Sequence, residues 1–132
     1  AFLEDGVLHV TGQAEFLPRR VIGFLKDEAA RRISAALPHH CVAIGVRPKV
    51  VRVKDTRSRW GSCAPDGTLA FSWRLVMAPG WVLDYVVAHE VAHLRELNHS
   101  DRFWTLLDGM TPDRERAERW LKAHGPTLMR VG

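Results

Sequence analysis

The sequence predicts one α+β domain over residues 1–132, with an N-terminal helix, a small sheet, a buried central helix and C-terminal helices. Three observations predict it. Apolar residues recur at helical spacing over 19–37, strand-like alternation occurs at 50–55 and 69–74, and a mostly apolar segment covers 79–89. Turn and capping residues separate these segments, and no repeat or low-complexity stretch interrupts them.

Composition is typical of a soluble globular protein with one core, at 46% hydrophobic and 26% charged residues. No apolar run reaches the roughly 18 residues of a membrane span, and the first residues, with Glu4 and Asp5, lack the apolar region of a signal peptide. Cys41 and Cys63 form neither a C-x-x-C motif nor a disulfide framework, which favours a reducing cytoplasm. The net charge of +4 allows nucleic-acid or acidic partners without requiring them.

The first half of the chain begins with a turn signal at Asp5–Gly6 and a short strand at Val7–Val10. Pro18 suits the first turn of a helix that the apolar spacing continues over Arg19–Leu37. We expect Pro38 to end that helix.

A second short helix is then predicted after Pro38, closed by Gly45, whose lack of a Cβ suits the left-handed conformation at helix ends. The adjacent His39 and His40 point in different directions on such a helix. We expect both at the surface.

Alternation predicts strands at Val50–Asp55 and Leu69–Arg74, with a polar loop at 56–63 and a turn at Asp66–Gly67 between them. These segments predict a small, mainly antiparallel sheet. The Leu69–Arg74 strand could also hold a peptide as an added strand along a sheet edge, or it could only pack the core.

The central helix, opened by Pro79, carries the motif H-E-x-x-H at His89–His93. Histidines four residues apart lie on one helix face with Cβ atoms about 5–6 Å apart, so both imidazoles can bind one metal ion. Glu90 lies about 100° round the helix from His89, where it can reach a metal-activated water without being a ligand.

His99 is the predicted third ligand, on condition that the helix ends before it. In a continuous helix its side chain would lie about 240° away from that of His93. Asn98 tolerates the conformation that ends helices, and Ser100 suits the N-cap of the next one. Three protein ligands with one open position are typical of catalytic zinc. The alternative third ligands are the carboxylates of Glu96, Glu115 and Glu118.

Two C-terminal helices complete the prediction. The first follows Ser100 and ends at Gly109. Thr111–Pro112 forms a cap and first-position pair for the second, which runs to about Ala123 and is followed by Gly125.

This ligand set predicts peptide-bond hydrolysis. Zinc lowers the pKa of its water to about 7, and Glu90 would take the proton as general base and return it to the leaving amine. A further donor to the oxyanion would assist. Three residues are considered for it without preference: Tyr85, Arg59 and His124.

Seven segments together resemble the YgjP-like metallopeptidases, which are related to the SprT-like proteases. They are Arg59–Cys63, Trp73–Leu75, Ala78–Pro79, Asp84–Val87, His89–Leu94, Asn98–Ser100 and Phe103–Trp104. The resemblance covers about residues 18–125. It implies a minimal zincin (minigluzincin-like) fold, zinc held by His89, His93 and His99, and Glu90 as catalytic base. The spacing to the third histidine equals that of metzincins, but Glu96 stands where they keep glycine, so we do not assign the chain to that group.

Two functions follow as hypotheses. The first is a zinc-dependent metallopeptidase that acts on a peptide or protein. The second is a non-catalytic zinc-containing binding module on nucleic acid or DNA-bound proteins, because the SprT-like relatives act on proteins bound to DNA. The presence of Glu90 favours the first, since a structural zinc site has no use for a general base.

Overall fold

The computed structural model describes residues 2–4, 7–9 and 18–132. The α+β class and the N-terminal helix are confirmed. The elements, in chain order, are β1 (Phe2–Glu4), β2 (Val7–His9), α1 (Arg19–Ile44), β3 (Val50–Lys54), β4 (Gly61–Cys63), β5 (Thr68–Ser72), a 3-10 helix (Trp73–Met77), α2 (Gly80–His93), α3 (Asp101–Met110) and α4 (Arg114–Leu128). The predicted strand at Val7–Val10 is present to His9, where it pairs antiparallel with β1, while Val10 and the Asp5–Gly6 turn signal lie outside the described residues.

The main sheet is mixed, with the order β3-β5-β4. β5 pairs with β3 in parallel from Val50↔Thr68 to Lys54↔Ser72, and antiparallel with β4. The prediction of a mainly antiparallel sheet is wrong in this respect, because β4 arises within the predicted polar loop and takes one edge of β5. Since β5 is central, it has no open edge, so of the two roles considered for Leu69–Arg74 only the packing of the core applies.

Helix α1 continues through Pro38, so the predicted break there is wrong. Proline removes one backbone N–H, which would have bonded to the Ser34 carbonyl. Both residues are exposed, so water can satisfy that carbonyl. The helix ends as predicted at Gly45, whose φ of 67° is left-handed and whose N–H reaches the Cys41 and Val42 carbonyls.

His40 is buried at 1% exposure, which corrects the prediction that it lies at the surface. Its Nε2 is 2.9 Å from the Asp84 Oδ1, so the pair links α1 to α2. His39, its neighbour, is exposed as predicted.

The core fixes α2 from several sides. Helix α1 packs against both α2 and the 3-10 helix. Its buried face is Leu25, Ala29, Ile33 and Leu37. Helix α2 is buried over most of its surface, including Val82, Val87, Ala88, Val91 and Ala92. Each fully buried valine among them stabilises the fold by about 1.5–3 kcal/mol, so the residues that α2 carries are held on a rigid support.

The C-terminal helices differ in their ends from the prediction. Helix α3 passes Gly109 and ends at Met110. Asp113, and not Thr111, occupies the N-cap of α4, while the Thr111 hydroxyl accepts a 3.2 Å hydrogen bond from the Asp113 N–H. Helix α4 continues through Gly125 to Leu128, and Gly125 packs on Trp60, where a Cβ would lie 3.4 Å from the indole Nε1.

Within the described part of the chain, no helix combines the length and the apolar character that crossing a bilayer requires.

Candidate metal centre

Helix α2 ends early enough to bring His99 back to the motif. Its last helical residue is His93, five residues before Asn98, where the sequence suggested a stop. The N–H groups of Leu94, Arg95 and Glu96 then bond to the Val91 and Ala92 carbonyls in a tight turn. The condition on which His99 depended is therefore met, although at a different residue. Ser100 occupies the N-cap of α3 as predicted, with no side-chain capping bond.

Three imidazoles converge beyond this turn. His89, His93 and His99 each offer a ligand nitrogen, and these atoms lie within 4.8 Å of one another. The Nε2 atoms of His93 and His99 are 2.9 Å apart. At that distance the two nitrogens can share a proton or a metal cation. With a metal–nitrogen distance of about 2.0–2.1 Å for zinc, the group fits a divalent ion held by nitrogen ligands.

The carboxylates proposed as alternative third ligands are not part of this group within residues 18–132. Glu118 accepts a hydrogen bond from Tyr85. Glu96 contacts His93 through its backbone carbonyl and not through its carboxylate. Glu115 is exposed on α4.

Hydrogen bonds leave the Nε2 atoms available. The His93 Nδ1–H donates to the Glu96 carbonyl at 3.0 Å, and the His89 Nδ1–H donates to the Glu90 carboxylate at 2.9 Å. Partners of this kind fix the tautomer and the ring orientation of a metal-binding histidine. Burial lowers the pKa of His93, which favours the neutral form that binds metal.

Two aromatic residues of α3 hold the imidazoles in place. Phe103 stacks on His93 with ring centroids 4.2 Å apart, and Trp104 stacks on His99 with centroids 5.3 Å apart. Sequence reasoning gave neither residue a role in the site. Their positions four and five residues after His99, at the start of an amphipathic helix, were the available signal.

Glu90 lies in the wall beside the histidines at 4% exposure. Strand β4 crosses directly over it at Gly61. A Cβ on Gly61 would be 2.9 Å from the Glu90 Cγ and 3.1 Å from its Oε2, so only glycine allows this approach. Sequence reasoning noted Gly61 in a motif but did not assign it to the site.

The family model for the YgjP-like metallopeptidase domain matches residues 3–124 of the chain. The chain belongs to this family. The resemblance that the motifs indicated is thereby confirmed, and the family implies a metal-dependent peptidase. No curated protein and no solved structure matches the chain.

A cleft of about 260 Å³ opens beside Glu90 in this YgjP-like domain. Helix α2 contributes Tyr85 and Val86, β4 and its preceding residue contribute Gly61 and Trp60, and α4 contributes Glu118 and Leu121. Because this cleft adjoins His89 and Glu90, it is the space in which a bound group would meet both.

The three residues considered as oxyanion donors occupy different places. Tyr85 lines the cleft, and its hydroxyl donates to Glu118 at 2.9 Å. Burial, with Glu118 as the second cause, raises the pKa of Tyr85, so the phenol stays protonated. Arg59 lines a separate pocket. His124 packs on Trp120 at 4.6 Å between ring centroids and is exposed.

Proposed function

We propose that this YgjP-like domain is a zinc-dependent metallopeptidase that hydrolyses peptide bonds, with His89, His93 and His99 as zinc ligands and Glu90 as general base. The observation that carries the proposal is the convergence of three imidazoles within 4.8 Å beside a buried carboxylate. Zinc bound there would supply Lewis-acid activation of water and of the scissile carbonyl.

The surroundings of Glu90 support its proposed role as general base. Its Oε2 accepts from His89, while its Oε1 has no hydrogen-bond partner within residues 18–132. That oxygen can take a proton from the attacking water and return it to the leaving amine. The burial of Glu90 keeps the carboxylate in one position, which positions the transfer.

Strand β4 supports a place for the peptide. The Trp60 carbonyl accepts from the Ser72 N–H and the Ala64 N–H donates to the Thr68 carbonyl, both at 2.9 Å. Since alternate residues of an antiparallel strand bond to the same neighbour, Gly61 and Cys63 turn their backbone groups to the open edge. A peptide added there as a fourth strand would pass Gly61 and lie beside Glu90.

The alternative function, a non-catalytic binding module, would also hold zinc at the three histidines but would not require the Glu90 carboxylate. We propose peptide or protein substrates and a location in the cytoplasm, where Cys41 and Cys63 would stay reduced. Nucleic acid stays an expectation from the net charge of +4, which the salt dependence of DNA affinity would test.

The deciding experiment compares wild type with Glu90→Gln on unfolded protein and on DNA-bound protein, with zinc content measured in both. We expect Glu90→Gln to keep its zinc and to lose about 10²–10⁴-fold in cleavage rate. Glu96→Gln is the matched control, because the Glu96 carboxylate lies outside the histidine group. Equal cleavage by Glu90→Gln and wild type, or no cleavage by wild type loaded with zinc, would reject the peptidase in favour of the binding module.

A further inference from the structure

A second pocket, of about 170 Å³, lies on the face of the sheet that points away from the core. Small side chains create it. Ala70 and Ser72 of β5 alternate with Leu69 and Phe71, which are buried in the core. The register places Ser62 of β4 opposite Ala70. These small residues form a shallow floor that spans the sheet.

Two cations line the pocket. Lys54, at the end of β3, is in register with Ser72, and Arg59 comes from the loop that precedes β4. Neither has an ion-pair partner within residues 18–132. Asp55, the acidic residue next in sequence, is already hydrogen-bonded to Trp73 and Arg74. Within residues 18–132 no carboxylate lines the pocket, so the charged side chains that line it are positive.

The hydroxyls in the pocket separate into used and unused donors. Ser72 donates to the Thr56 carbonyl, and Thr56 donates to the Arg59 carbonyl at 3.1 Å, which closes the loop that carries Arg59. Ser62 has no side-chain partner among the residues described from 18 onward. The remaining donors are therefore an ammonium, a guanidinium and one hydroxyl, with no anionic acceptor.

We propose that this pocket binds an oxyanion group, a carboxylate or a phosphate. A guanidinium forms paired, charge-assisted hydrogen bonds with either group, while an ammonium adds a point charge. The volume of about 170 Å³ accommodates one such group.

A Cβ on Gly61 would point at Glu90 in the cleft, whereas the next residue, Ser62, points to the opposite face of β4 and lines the pocket. Successive side chains of an extended peptide point to opposite faces. A peptide on the β4 edge would thus send one side chain into the cleft and its neighbour toward Ser62. We assign an acidic side chain of the substrate to the oxyanion pocket. This assignment rests on the proposed peptidase function, whereas the binding of an oxyanion does not.

The first test titrates the ¹⁵N-labelled chain with inorganic phosphate at constant ionic strength, with chloride as the reference salt. We expect saturable shifts of the amide signals of Lys54, Arg59 and Ser62. Arg59→Gln should weaken phosphate binding by about tenfold or more, because a charge-assisted hydrogen bond is lost. Lys54→Gln is a second variant, used in case Arg59→Gln folds poorly, and it should also weaken phosphate binding.

Arg119→Gln is the matched control, since Arg119 is exposed on α4 and lines neither pocket. It removes the same charge and should leave the phosphate affinity unchanged. An absence of saturable shifts in wild type, or equal weakening by Arg59→Gln and Arg119→Gln, would overturn the proposal.

The second test distinguishes the two sources of the oxyanion. In peptides that wild type cleaves, Glu is compared with Gln at each position. We expect wild type to prefer Glu over Gln in kcat/KM at one position, and Arg59→Gln to abolish that preference. Phosphate binding without such a position would assign the pocket to a free oxyanion and reject the substrate side chain. If wild type cleaves no peptide, the peptidase proposal fails while the phosphate titration still decides the pocket.

Discussion

Gly61 of β4 and Glu90 of α2 approach so closely that a Cβ at position 61 would lie 2.9 Å from the Glu90 Cγ. The same Cβ would be 3.2 Å from a methyl of Val86. Both neighbours belong to a helix that is buried on most sides, so neither can yield easily. The absence of a side chain at Gly61 thus sets the position of the buried carboxylate.

Gly61→Ala should therefore reduce peptidase activity more than it reduces stability. We expect a loss of tenfold or more, up to about 10²-fold, in kcat because small displacements of a catalytic group are costly. The free energy of unfolding should fall by about 1–3 kcal/mol from overpacking. Kinetics, zinc content and chemical denaturation measure the three quantities. Gly23→Ala is the control, because its Cβ meets nothing within 4 Å inside α1 and should stabilise slightly.

His99→Ala should separate metal binding from folding. His99 is exposed, so the unfolding free energy of the metal-free protein should change by less than about 0.5 kcal/mol. Zinc affinity should fall steeply, because one of three ligands is lost. Chelator competition measures the affinity, and removal of zinc should lower Tm in wild type more than in the variant. Unchanged zinc affinity in His99→Ala, with a loss in Glu96→Ala, would move the third ligand to the carboxylate.

The helices and the histidine group were predictable because their signals are local. Helical spacing identified α1 and α2, and the motif with its third histidine specified which side chains could share one metal ion. The same geometry required the helix to end before His99. It ends at His93, earlier than predicted, because the N–H groups of the Leu94–Glu96 turn bond to the Val91 and Ala92 carbonyls.

The sheet was less predictable because its signals are not local. Strand β4 is only Gly61–Cys63, which is too short to show alternation, and its identity depends on pairing with β5. Local rules also overstated two interruptions. Pro38 sits on an exposed face of a helix anchored elsewhere, and Gly125 is buried inside α4 against Trp60.

Asp55→Asn should remove a pH-dependent part of the stability. Hydrogen bonds from the Trp73 indole and the Arg74 guanidinium hold the pKa of Asp55 below its ordinary value of 3.8. A carboxyl with a lowered folded-state pKa stabilises the fold above its unfolded pKa, and this contribution is lost as pH falls through the folded pKa. Wild type should thus lose stability below about pH 4, and Asp55→Asn should lose less over the same range.

At pH 7 the variant should be less stable by about 1–2 kcal/mol, because the fully buried Arg74 loses a charged partner, while the half-exposed Asp55 limits the effect. Denaturation curves at pH 7, 5 and 3 measure both quantities. The exposed Asp27 provides the control Asp27→Asn, for which no change is expected. Parallel pH profiles for wild type and Asp55→Asn would contradict the assigned cause.

Glu118 should set a preference for cationic side chains in the cleft. Its carboxylate accepts from Tyr85 and forms no salt bridge among the residues described from 18 to 132. Arg114, one turn earlier, bonds to Asp108 and acts on Glu118 only through its charge. Among the residues that the structure describes from 18 onward, no cation lines the cleft. A substrate Lys or Arg could pack on Trp60 with its charge toward Glu118.

Among peptides that wild type cleaves, those with Lys or Arg at the position facing the cleft should have a kcat/KM about tenfold above those with Leu. One charge-assisted hydrogen bond to Glu118 accounts for a difference of this size. Glu118→Gln should remove this preference while it keeps the size of the side chain and its acceptor for Tyr85. Glu115→Gln, on the same helix but outside the cleft, should leave the Lys-to-Leu ratio unchanged. An equal ratio in wild type and Glu118→Gln would show that the apolar walls alone select the side chain.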